Sequence, residues 1–130
     1  MDPVDRFYEA LKRKDRELLR GCIHPDFEMI VPQKPARGFK SGEQEVKNIE
    51  YLFETQPEFV VTVLRKVIDG DEVWTESHLE APELEMAAVT IWKVDRATDT
   101  LIGGRYYSEP VQRDAPGIDE FMQSLGGEGR

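Results

Sequence analysis

Asp69-Gly70 separates two runs rich in β-branched residues, PEFVVTVLRKVI before it and VWTESHLEA after it. An Asp-Gly pair suits the positive-φ positions of a tight hairpin turn, so the two runs are committed to antiparallel pairing. This restricts the chain more than any other feature, because an isolated two-stranded ribbon is only marginally stable and needs further strands or helices against it. Further strands follow as AAVTIWKV, a turn DRATDT, and LIGGRYYSEPV. Gly103-Gly104 inside the last run predicts a bulge or sharp bend.

Upstream the apolar period changes from two to that of a helix. Asp2-Pro3 reads as a helix cap followed by proline at the first helical position. Val4, Phe7, Tyr8 and Leu11 then share one helical face, and Leu18, Leu19, Cys22 and Ile23 mark a second short helix. KRKDRE between them reads as a solvated hinge. HPDF ends the second helix, and FEMIVP is a strand with Phe27, Met29 and Val31 on one side. QKPARGFKSG is a loop in which Lys34 and Arg37 read as surface charge. Ser41 caps a helix over 41–56 with Val46, Ile49 and Phe53 as its buried stripe. The order helix, helix, strand, helix, four strands predicts an α+β domain: helices packed on one face of a strongly curved antiparallel sheet. The domain spans 1–112, and 113–130 is a tail with one helical turn before a glycine-rich end.

With 130 residues the chain suits one domain, and its net charge of −9 argues against nucleic acid and anionic membranes, which need clustered Lys and Arg. The single cysteine, Cys22, cannot form an intrachain disulfide and is expected in the core, which fits a cytoplasmic setting. His24 and His78 lie far apart, with no CxxC or HxH spacing, so neither a metal nor another cofactor is expected. MDPVDRFYEAL lacks a basic start and apolar run, so no signal peptide is expected, and no apolar run is long enough to span a membrane.

HPDFEMIVP, SGEQEV, GDEVW and RYYSEP, in this element order across residues 2–112, resemble the SnoaL-like branch of the nuclear-transport-factor-2-like superfamily. The resemblance implies a cone made by a curved sheet wrapped on helices, a pocket at its open end, and a homodimer formed through the outer sheet face. It also implies which chemistries are missing. Val31, Thr90 and Phe7 stand at the positions where similar ketosteroid isomerases carry two aspartates and a tyrosine. Arg105 stands where epoxide-hydrolase-like members carry an aspartate, and residues 77–80 lack the arginine of that set.

What remains is a polar set on two strands. Arg105, Tyr107 and Glu109 alternate on one face of the last strand and are expected to point into the cone. On VWTESHLE the expected inward set is Trp74, Glu76 and His78, because Trp74 is the largest apolar group there and its burial is worth about 2–3 kcal/mol. The opposite set, Val73, Thr75, Ser77 and Leu79, stays open, since a register slip of one residue exchanges the two. With Trp74 inward, Glu76 and Arg105 would pair across neighbouring strands. Such a pair either braces the fold or serves chemistry, with Glu76 or His78 as base and Arg105 as electrophile. Seven acidic residues and no basic one between 69 and 85 surround His78. Trp74, Thr90, Trp92, Tyr107, Glu109, Val31 and Tyr51 are the candidate ligand contacts, and Trp92 either lines or fills the cavity. Three readings follow: a binding protein for a small apolar, carbonyl- or carboxylate-bearing molecule; an isomerase, cyclase or hydrolase; and a non-catalytic dimeric interaction module.

Overall fold

The computed structural model describes residues 1–126. Helix α1, Pro3–Arg13, starts where Asp2 accepts a hydrogen bond from the Asp5 amide and ends at Lys14, which adopts the left-handed conformation with φ 53°. Asp15 caps α2, Arg16–Cys22. The KRKDRE hinge is therefore one left-handed residue followed by one cap. Its Lys14 ammonium lies 4.3 Å from the centre of the Phe59 ring. Strand β1 spans Ile23–Ile30, beginning four residues before the predicted strand, directly after α2. A short 3-10 turn, Pro35–Arg37, interrupts the loop that follows. Ser41 then caps α3, Gly42–Thr55. Gly42 is required by close approach, since a Cβ there would sit 2.2 Å from the His24 carbonyl oxygen.

Four strands complete the sheet: β2 Val60–Asp69, β3 Glu72–Ala81, β4 Leu84–Asp95 and β5 Thr100–Pro110. Gly70 takes φ +62° as the first central residue of the β2–β3 turn, while Asp69 ends β2 opposite Glu72 without a positive φ, so the turn is centred on Gly70-Asp71 rather than on Asp69-Gly70. The spatial order is β1-β5-β4-β3-β2. The last four strands pair antiparallel as expected, but β1 runs parallel to β5, so the sheet is mixed. The predicted irregularity also falls beside the glycines. Lys93 pairs with Gly103 while Val94 pairs with Leu101, leaving Ile102 as an extra residue in β5. A second shift in β2 lies between Val63 and Arg65. Bulges of this kind bend a strand and increase its twist, which curves the sheet around α1, α2 and α3.

The core lies between the concave sheet face and these helices: Val4, Phe7, Leu19, Phe27, Val46, Phe53, Trp92 and Leu101 are among its buried residues. Cys22 is buried there as a free thiol, as expected. The C-terminal segment carries α4, Ile118–Gly126, more than the single helical turn expected. No helix among the described residues is long and apolar enough to cross a membrane.

Candidate functional site

Strand pairing decides which side chains share the concave face, because residues directly opposite each other point the same way. Val73 pairs with Trp92 and Trp92 with Gly104; Thr75 pairs with Thr90 and Thr90 with Tyr106; Ser77 pairs with Ala88 and Ala88 with Ser108. These three rows are the inner face. Burial falls along them. Val73 and Trp92 are sealed, and so are Thr75 and Thr90, whereas Ala88 and Ser108 are half-exposed. The Val73–Trp92 end is thus the closed end of the cone, and the Ser77–Ala88–Ser108 row lies toward its opening.

The expected inward set on β3 is therefore the outward one. Trp74 is 44% exposed and Thr75 1%, so Trp74, Glu76 and His78 face away from the helices. The reason is competition for space. Trp92 already occupies the interior beside Phe7, Tyr8 and Phe27, with ring centres 4.7, 6.1 and 6.5 Å away. The bulge at Ile102 gives β5 the matching parity, placing Arg105, Tyr107 and Glu109 on the outer face and Tyr106 and Ser108 on the inner one. Glu76 and Arg105 do not pair. Glu76 lies opposite Arg65 of β2 and Val89 of β4, whereas Arg105 lies opposite Ile91, so β4 stands between them. Tyr51 is 67% exposed and lies off the α3 stripe. Val31 sits just past β1, partly buried against the core. Thr90 and Trp92 do face inward together, and Trp92 fills rather than lines the closed end.

Three groups meet at Thr75. Its hydroxyl oxygen accepts the Trp92 indole N–H at 3.1 Å and lies 2.8 Å from the Tyr8 hydroxyl. Tyr8, the residue after Phe7, thus brings a phenol inward from α1. Tyr106 completes the row from β5, its pKa raised first by burial and further by the charges of Tyr8 and Glu45.

Glu45 is the group that sequence reasoning missed. It lies in the first turn of α3 among Gly42, Val46 and Ile49, is 3% exposed, and its Oε2 has no hydrogen-bond partner. Burial alone pushes its carboxyl up to about 7. Its charge is also felt at Cys22, whose thiol burial drives up to about 11. The signal was present in the sequence, since an acid one residue before Val46 and four before Ile49 falls on the apolar stripe.

Outside the cone, His78 sits on the β3–β4 hairpin with Nδ1 3.2 Å from Glu80 and Nε2 2.9 Å from Glu85. Possible ligand atoms of these three residues lie within 4.8 Å of one another. Arg113 already engages both Glu85 oxygens, lowering the Glu85 pKa, so this is an exposed ion-pair cluster that gives no ground for assigning a metal. A shallow groove of about 440 Å³ on the outer sheet face is lined by Arg65, Val67, Trp74, Glu76 and Val89, among others.

A curved five-stranded sheet closed by three helices, with hydroxyls and one carboxyl turned inward, defines a cone of the nuclear-transport-factor-2-like class. Residues 4–102 match the SnoaL-like domain model, and the chain belongs to that family. Solved structures agree on the fold. IdmH from Streptomyces antibioticus is 21% identical with a TM-score of 0.68, covering 84% of this chain and 93% of that one. An LEH-like epoxide hydrolase from M. tuberculosis is 19% identical with a TM-score of 0.68, covering 82% and 80%. A protein of unknown function from Cytophaga hutchinsonii is 14% identical with a TM-score of 0.67, covering 82% and 87%. No curated protein matches the sequence.

Proposed function

We propose that this SnoaL-like chain binds a small organic molecule on its concave face, between the Thr75–Thr90–Tyr106 row and the cone's opening. The observation that carries this reading is the unpartnered Glu45 Oε2. Leaving a buried polar atom unsatisfied costs about 1–3 kcal/mol, and folded proteins keep few such atoms. A ligand polar group reaching Glu45 would remove that cost, while the partly buried Val31 and Leu52 offer apolar contact to its body. A chain using Glu76 or His78 as base with Arg105 as electrophile gains no support, because these side chains face outward. The test is an amide-resolved NMR titration with a mixed library of aromatic fragments. Shifts centred on Glu45, Thr90 and Tyr106 are expected; shifts confined to Trp74 and Val89 would reject the interior site.

The outer sheet face favours a second reading, self-association. Trp74, Val67 and Val89 are exposed there, among charges of both signs at Arg65, Glu76 and Arg105. An apolar strip rimmed by mixed charge suits a two-fold contact, in which each patch meets its own copy. Light scattering is expected to give twice the 15.0 kDa chain mass, and the double variant Trp74→Glu, Val89→Glu is expected to be monomeric. A monomeric native chain at about 100 µM, a loading well above the Kd of a stable dimer, would exclude this dimer.

A further inference from the structure

The sign of the charge inside the cone is opposite to what an inward Arg105 would supply. Among the described residues, the basic side chains near the helix-covered face are engaged elsewhere. Arg6 is held by Asp99, Lys66 by Asp2 and Asp5, and Lys14 lies over Phe59. Arg65, Lys93 and Arg105 belong to the outer face. Glu45 is therefore an interior acid with no counter-cation. The aromatic set of Phe7, Tyr8, Phe27 and Trp92 packs on itself at the closed end and adds no charge. A carboxylate ligand would bring a second negative charge toward Glu45 with nothing to offset either. A cation would meet the Glu45 carboxylate and hydroxyl acceptors of the Thr90–Tyr106 row.

Resting on the interior-site reading above, we propose that the ligand is a small primary ammonium ion on an apolar body. Its three N–H donors are matched by the Glu45 carboxylate and by hydroxyl oxygens of the Thr90–Tyr106 row. The net charge of −9 draws cations toward the chain in general, whereas Glu45 supplies the selection inside.

Binding in this way fixes a proton balance. In the free chain the Glu45 carboxyl is half-protonated at about pH 7, so at that pH the incoming ammonium displaces about half a proton per site to solvent, and close to one at pH 6. The Cys22 thiol and the Tyr106 phenol stay neutral at that pH. The Cys22 thiol, on α2, is held up to about 11, and Tyr106, on β5, is raised above its ordinary value. Tyr8 contributes a phenol from α1, and the His24 ring, on β1, turns to Asp26 and Asp95. Affinity for an ammonium ion is therefore expected to rise about tenfold from pH 6 to pH 8, following the ionised fraction of Glu45.

The experiment is calorimetric titration of the full chain with three probes of one shape: benzylammonium, benzyl alcohol and benzoate. The proposal expects benzylammonium to bind with proton release that falls from nearly one per site at pH 6 to almost none at pH 8, to tighten about tenfold across that pH range, and to lose at least tenfold with Glu45→Gln. Amide shifts at Thr90 and Tyr106 should accompany binding. Because Glu45→Gln is near-isosteric, its fold is checked by its unfolding curve at pH 5, and the native pH series stands without the variant. Benzyl alcohol or benzoate binding inside while benzylammonium does not would overturn the ammonium assignment and leave the interior site standing. Benzylammonium binding indifferent to Glu45→Gln would assign it to surface carboxylates and overturn the proposal. Absence of interior shifts with all three probes would remove both the assignment and the site.

Discussion

Glu45→Gln is expected to make the folded chain more stable at pH 8 by about 3 kcal/mol, while changing little near pH 4.5. In the unfolded chain this carboxyl ionises near its ordinary 4.5, and in the folded chain burial holds it protonated to about 7. Below 4.5 both states carry the proton and the side chain imposes no charge penalty. As pH rises past 4.5 the unfolded chain alone releases its proton, so folding loses about 1.4 kcal/mol per pH unit from this group until the folded carboxyl ionises as well. Glutamine keeps the size and polarity and never ionises. Urea unfolding of both proteins at pH 4.5, 6 and 8 measures the difference directly, and the other carboxylates cancel in it. Parallel stability profiles would mean that Glu45 is solvated or paired in solution, and would weaken every reading built on its Oε2.

Trp92→Ala should be the most damaging single truncation at the closed end, costing about 3–5 kcal/mol. Trp92 is 2% exposed and its ring packs 4.7 Å from Phe7. Its removal leaves a cavity that the sheet and α1 cannot both collapse into, and it takes the indole donor from Thr75. For a chain of this length the melting temperature should fall by on the order of 10–20 °C. Trp92→Phe separates the contributions, since it keeps most of the apolar volume but loses the N–H, at about 1 kcal/mol. A loss under about 1 kcal/mol for the alanine variant would mean that the closed end is already loosely packed. It would then not be the filled floor described here.

The local punctuation of the fold was legible in the sequence. Asp2-Pro3, Ser41 and Gly70 act where their side chains and allowed backbone angles place them, with the hairpin turn one residue later than the Asp-Gly pair suggested. The parallel pairing of β1 with β5 was not, because strands distant in sequence leave no turn to read. Parity was the other failure. Alternation states that a strand has two faces but not which one turns inward, and side-chain size misled on β3. Trp74 is larger than Thr75, yet interior space was already committed to Trp92 from the neighbouring strand. On β5 the two glycines flagged an irregularity without locating its extra residue. Glu45 was readable as an acid on an apolar stripe, and Tyr51, two positions from both Ile49 and Phe53, was readable as lying off it.

Ile102 carries a consequence larger than its size. Upstream and downstream of it, β5 is held in opposite phase relative to β4. Of two interleaved alphabets along that strand, one spells arginine, tyrosine and glutamate, the other tyrosine and serine. One inserted residue selects which alphabet the interior reads. Losing that single position would exchange the lining of tyrosine and serine for one carrying an arginine and a glutamate, with no substitution at any lining residue.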